Sequence, residues 1–395
     1  MQKIFTDKTI DFSFDFSKRN KADDTIDLLI EKVLAAYPLK RLERIRAKSE
    51  ATWKGDNGHS ERISYAVLDY LLPEEPKIPD DATNIQREMI DRLKLMLHTS
   101  VIDDEFYPAF SSGLEQVTIP SMFCCVKERI SGSEHVKPII NSPSEVYSLA
   151  KADIREGYVC YDMLRSMAYK YRRAGGRIPV YMTDIQGPFS CAAQMWGIQD
   201  FLGDLGEYPN EIHHLLSLCT EAIIKYFKAM YEAVDGDMIP IHCLPMIWVP
   251  KDCGVAVSDD FFAVVGENTA KEFSVPYLER IGGEFGGVTA HSCGNMNHLA
   301  SLMNSMKTLK ALNFSITETD LAKYAGDCDP KIALLAHKSA LSLNGLPLIQ
   351  NTEQHIRKCA EVQKNTGVRI FSKMIYTDEP LTAANLKSWE EAAKL

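Results

Sequence analysis

A histidine and a cysteine two residues apart, in His291-Ser292-Cys293-Gly294, follow the apolar run Gly287-Val288-Thr289-Ala290. Side chains alternate along a strand, so a strand ending here turns His291 and Cys293 to the same side. Imidazole nitrogen and thiolate sulfur are borderline-soft donors that suit zinc. Two donors do not complete a site, so the neighbouring strand ends have to be searched for a third.

The elements that would position this pair are legible as alternation. Residues 1–110 read as an N-terminal helical extension, with amphipathic helices at 25–37, 66–72 and 84–97 and a proline-rich loop at Pro73, Pro76 and Pro79. The basic stretch 39–48 reads as one more helix with a solvated charged face. From about residue 117, short β-branched or apolar runs alternate with longer helical stretches. The expected strands are 117–122, 178–184, part of 238–248, 254–258, 287–291, 311–317, 332–337 and 368–376. The expected helices are 143–174, 198–234, 258–285, 296–306, 353–365 and 382–395. Ser142-Pro143-Ser144-Glu145 has the form of a capping box. About eight strands in this alternation predict an α/β chain, with a (β/α)8 TIM barrel over 111–395. No Gly-x-Gly-x-x-Gly follows a strand, against a dinucleotide fold.

In such a barrel the residues just past each strand converge on one mouth. They include Asp184 and Gln186 after the strand at 178, His242 after the strand at 238, and Asp259 and Asp260 after the strand at 254. Next come His291, Cys293 and Asn295, then Glu318, and finally Tyr376 on the last strand. Several have structural alternatives: either aspartate of the 259–260 pair can cap the following helix, and His242 can be a satisfied core histidine.

Bulk properties narrow the function. The net charge of −10 gives no global basic footprint for nucleic acid or for an anionic membrane. No stretch approaches the ~18 apolar residues of a membrane span. The first residues, with early acids and no apolar core, do not form a secretory signal. Ten cysteines without a small-domain framework suit a reducing compartment. A cytoplasmic protein without nucleic-acid or membrane partners is expected.

With these residues in hand, the chain resembles the uroporphyrinogen decarboxylase superfamily across 110–395. The likeness is carried by Thr183-Asp184-Ile185-Gln186-Gly187-Pro188-Phe189 with Trp196 and Asp200-Phe201-Leu202, by 259–273 with Pro276-Tyr277, and by Ala290-His291-Ser292-Cys293-Gly294-Asn295. The superfamily implies a (β/α)8 barrel and contains decarboxylases and corrinoid-dependent methyltransferases. The Arg-Gln-Ala-Gly-Arg-like motif with which the true decarboxylase holds its substrate's carboxylates does not occur before residue 110. The other branch resembles methylcobamide-dependent thiol methyltransferases, in which a His-x-Cys pair and a third cysteine on the last strand hold zinc. Here that strand continues Ser372-Lys373-Met374-Ile375-Tyr376, and Ile375 stands at the third-ligand position.

The resemblance therefore implies a zinc-assisted methyltransferase with His291 and Cys293 as ligands. Glu318 is the preferred third ligand, with Cys328, His242 or an aspartate as alternatives. Asp184, Gln186, Asp259 and Tyr376 are the catalytic candidates; His242, Asn295 and Asp260 are the substrate-binding ones. No Asp-x-His-x-x-Gly cobalamin motif is present, so the corrinoid would come from a partner protein and exchange methyl with a small-molecule substrate. A homodimer is implied by resemblance alone. Decarboxylation and plain tetrapyrrole or corrinoid binding are the competing functions.

Overall fold

The computed structural model describes residues 10–55, 63–69, 74–111, 113, 117–130, 133–155, 157–242, 246–338, 346, 348–349, 351–377 and 379–394. For 68–69, 130, 133, 242 and 374–376 it describes the backbone. The strands in chain order are β1 (Ser64–Asp69), β2 (Lys127–Ile130), β3 (Ser133–Val136), β4 (Val180–Met182), β5 (Met238–His242), β6 (Val255–Ser258), β7 (Val288–His291), β8 (Leu309–Ser315), β9 (Ala333–His337) and β10 (Ile370–Thr377).

A continuous parallel sheet runs β1-β10-β9-β8-β7-β6, and β4 and β5 form a second parallel pair. The two are stitched where Gln186, just past β4, bridges Ser258 at the end of β6. β2 and β3 make a separate antiparallel hairpin. β6, β7 and β9 are buried along their whole length, as strands covered by helices on one side and a packed interior on the other must be. The close approach of β6 and β7 requires glycine at their start. Gly254 has φ +87°, and a Cβ there would sit 1.7 Å from the Gly287 carbonyl oxygen.

Helices Lys21–Ala36, Leu39–Lys54 and Asn84–Thr99 form in the first 110 residues, and the first and third begin with capping boxes at Asn20 and Thr83. The chain is not helical throughout there, however. The helix expected at 66–72 is replaced by β1 as far as Asp69, and 70–72 lie outside the described residues. Tyr65, Ala66 and Val67 are all buried, and an apolar run that is buried on both faces has no period to separate strand from helix. β1 pairs with β10, Ser64 opposite Phe371. Its other edge is met by side chains: Glu105 and Asp104 accept the Tyr65 and Val67 N–H groups at 2.8 and 2.9 Å.

Other expectations are corrected too. The strand expected at 117–122 is a helical turn, Thr118–Ser121; Pro120 has no N–H to give a ladder. The helix expected at 143–174 is a 3₁₀ turn, Pro143–Ser148, and a separate helix, Tyr158–Arg173. Ser142 makes no side-chain cap; Glu145 accepts from the Asn141 N–H instead. The helix expected at 198–234 breaks before Pro209. That expected at 258–285 divides into Asp260–Ala263, Glu267–Phe273 and Val275–Phe285. No helix among the described residues is long and apolar enough to cross a membrane.

Candidate metal centre

The carboxyl ends of β6, β7 and β8 lie side by side, with Ser258 opposite His291 and His291 opposite Asn313. Chain leaving β6 supplies Asp259 and Asp260, chain leaving β7 supplies Cys293, and chain leaving β8 supplies Glu318. His291 and Cys293 fall together: Sγ and Nε2 are 3.6 Å apart. Asp260 joins them, and the three donor atoms lie within 4.8 Å of one another. Among the described residues this is the one such group.

The turn after Cys293 is held tightly. Asp260 Oδ1 accepts the Cys293 N–H at 2.9 Å, and Glu318 Oε2 accepts the Gly294 N–H at 2.6 Å. Gly294 has φ +85°, and a Cβ there would come within 2.5 Å of the Ala263 Cβ. Crowding around the sulfur, then the Asp260 and Glu318 carboxylates, push the Cys293 thiol up to about 12 although the residue itself reaches the surface. A cation beside these groups would reverse that balance and favour the thiolate.

The remaining candidates have distinct places. Asp259 is wholly buried behind the donors. Its two oxygens accept from Ser190 and Ser274 at 3.0 and 2.9 Å, and burial raises its carboxyl to about 7. Asp184 is half-buried and accepts from Ser258 Oγ at 2.6 Å. Gln186 joins the site through its backbone bridge to Ser258. Asn295 Oδ1 accepts the Asn297 N–H and shapes the loop. Glu318, the ligand preferred from sequence, stands beside the three-donor group on the Gly294 N–H rather than within it. Cys328 is buried beyond the helix Leu321–Asp327 and donates to the Asp329 carbonyl. His242 and Tyr376 sit on the β5 and β10 backbones; their side chains, and that of Ile375, lie outside the described residues.

Sequence reasoning missed Asn313 and His337. Asn313 Oδ1 lies 2.7 Å from His291 Nδ1, and its amide nitrogen reaches the Leu335 carbonyl and His337 Nδ1. The signal was available: a lone amide in the apolar strand Leu309–Ser315 must find buried partners.

Residues 126–241 match the model of the uroporphyrinogen decarboxylase (URO-D) family. The chain carries this likeness over 116 of its 395 residues. Its fold is shared with a solved structure, a methyltransferase from Methanosarcina mazei, at TM-score 0.60 and 16% identity, covering 88% of this chain and 98% of that one. No curated protein sequence matches the chain significantly. Within this fold, Asp260, His291 and Cys293 lie at or just past the carboxyl ends of the adjacent strands β6 and β7, the face on which parallel α/β enzymes assemble their sites.

Proposed function

We propose that this protein is a zinc-assisted methyltransferase that exchanges a methyl group between a small substrate and a corrinoid presented by a partner protein. The observation that carries this conclusion is the donor group Asp260, His291 and Cys293. Zinc bonds to sulfur and nitrogen at tetrahedral angles would set those two atoms roughly 3.5 Å apart, and Sγ and Nε2 are 3.6 Å apart. One oxygen, one nitrogen and one sulfur make three protein donors, which leaves the fourth position that catalytic zinc keeps for substrate. The eight parallel strands are proposed to close as a (β/α)8 barrel with this group at its mouth.

The ion, when bound, would supply a Lewis acid that keeps a substrate thiol ionised near neutral pH. The chain's residues do the rest. His291 offers Nε2, and Cys293 gives up its proton as the cation binds. Asp260 holds the Cys293 backbone while offering a carboxylate oxygen, the part played by the missing cysteine at Ile375 in the thiol methyltransferases that the sequence resembles. Asp184 and Gln186, held to the end of β6, would orient the small substrate.

Decarboxylation of a substrate with several carboxylates fits this mouth poorly. Among the described residues the charged side chains just past β4, β6, β7 and β8 are Asp184, Asp259, Asp260, Glu318 and Asp320, with Lys338 past β9, whereas such a substrate needs a cluster of cations.

The test is elemental analysis of the wild type beside His291→Ala, Cys293→Ala and Asp260→Ala, with methyl transfer from methylcobalamin to a small thiol as the companion assay. About one zinc per chain, lost in each variant together with transfer, is expected. Wild-type protein that takes up no zinc when it is supplied, or a Cys293→Ala variant with unchanged transfer, overturns the proposal.

A further inference from the structure

We infer that Asn313 is a positioning residue that fixes which ring nitrogen of His291 faces the metal position, an inference that builds on the metal-site assignment above. β7, β8 and β9 set His291, Asn313 and Leu335 at one level, each opposite the next. From the middle strand, Asn313 reaches both ways. Its amide nitrogen donates to the Leu335 carbonyl at 2.6 Å and lies 3.2 Å from His337 Nδ1. Its amide oxygen lies 2.7 Å from His291 Nδ1.

A backbone carbonyl can only accept. Turning the Asn313 amide over would set oxygen against oxygen at the Leu335 carbonyl, so the amide has one allowed orientation. Its oxygen, which also only accepts, is thereby held against His291 Nδ1, and that nitrogen must carry the proton. In its neutral form, the only form that can bind a metal through a ring nitrogen, the imidazole has one N–H, so Nε2 is then the nitrogen without a proton. Nε2 is the nitrogen 3.6 Å from Cys293 Sγ. The second amide hydrogen is directed at His337 Nδ1, and the His337 ring stacks beside that of His291 with centroids 5.7 Å apart. All three side chains are buried, with His291 and His337 each 6% exposed and Asn313 2%. Hydrogen-bond polarity therefore runs from one main-chain carbonyl, through Asn313, to the donor nitrogen. Outer partners of this kind orient ligating histidines and raise their affinity.

The test starts from the metal-free full chain with 15N-labelled histidine, read by long-range 1H–15N correlation and assigned with a His291→Gln variant. His291 is expected to show a protonated Nδ1 and a bare Nε2. Asn313→Ala is expected to give a mixed or reversed tautomer and about 10- to 100-fold weaker zinc binding in a chelator competition. Asn313→Asp keeps an oxygen acceptor for His291 Nδ1 and is expected to retain the Nδ1-protonated tautomer that Asn313→Ala loses. A wild-type His291 protonated on Nε2 overturns the inference without any variant, so a poorly folding Asn313→Ala does not shelter it. An Asn313→Ala protein with unchanged tautomer and zinc affinity overturns it as well. The expected tautomer in wild-type protein that takes up no zinc would sink the metal assignment while upholding the control of His291 by Asn313.

Discussion

Asp260 Oδ1 accepts the backbone N–H of Cys293 at 2.9 Å while its carboxylate belongs to the same donor group as the Cys293 sulfur. One side chain thus shapes the turn that presents the cysteine and offers a ligand atom beside it. Glu318 has the first property alone, through the Gly294 N–H.

That difference predicts opposite outcomes for two acidic residues. Glu318→Gln keeps an acceptor for the Gly294 N–H and should retain zinc within a few-fold of the wild type. Asp260→Asn also keeps an acceptor for the Cys293 N–H but loses the anionic donor, and zinc affinity should fall much further than in Glu318→Gln. Chelator competition on both proteins decides it; a larger loss in Glu318→Gln would make Glu318 the third ligand.

Gly294→Ala should damage the site through its backbone. The residue would have to hold φ +85° with its Cβ 2.5 Å from that of Ala263, a strain of about 1–3 kcal/mol. Urea unfolding should show that loss, and zinc content should fall although no ligand has changed. Wild-type stability in the variant would mean the turn relaxes freely.

Stability should carry a pH signature from Asp104, which burial raises from an ordinary 3.8 to about 7 against the opposing Val67 and Phe106 N–H bonds. The folded chain therefore holds this proton where the unfolded chain has lost it, so stability falls as pH rises from about 4 to about 7. The full effect is at most about 4 kcal/mol. Asp104→Asn removes this slope, so the stability difference between wild type and variant should shrink steadily over that window. Denaturant melts at several pH values measure it, and a constant difference would refute the assignment.

Arg369 should matter for folding far from the chemistry. Its guanidinium donates to the carbonyls of Thr52, Trp53, Pro330 and Lys331, tying the end of the helix Leu39–Lys54 to the sheet. Arg369→Met leaves those carbonyls short of a donor and should cost about 2–4 kcal/mol, with unchanged zinc stoichiometry in the folded protein. Equal stability would show that water replaces the guanidinium.

The sequence made some of this plain and hid the rest for physical reasons. β6, β7 and β9 are short apolar runs ended by polar residues, so the spacing of His291 and Cys293 already implied a shared face. β1 was unreadable because burial on both sides of Tyr65–Val67 erases the alternation that marks a strand. Asp260 was visible as a mouth residue, but its closeness to Cys293 depends on how β6 registers with β7, which no local pattern encodes. Asn313 is the harder case: its role exists only through the Leu335 carbonyl, a main-chain atom with no letter in the sequence.

β1 takes its place against β10, with Ser64 opposite Phe371. The first strand of the sheet must therefore wait, during synthesis, for nearly the whole of the chain to emerge before its partner exists. At synthesis rates of about 5–20 residues per second, that is a delay of some tens of seconds with an apolar strand unpaired. The Asp104 and Glu105 carboxylates, close behind β1 in sequence, are available early to occupy its other edge. In the nascent chain they can act as a placeholder that keeps half of β1's hydrogen-bonding groups from seeking another molecule until the last strand arrives.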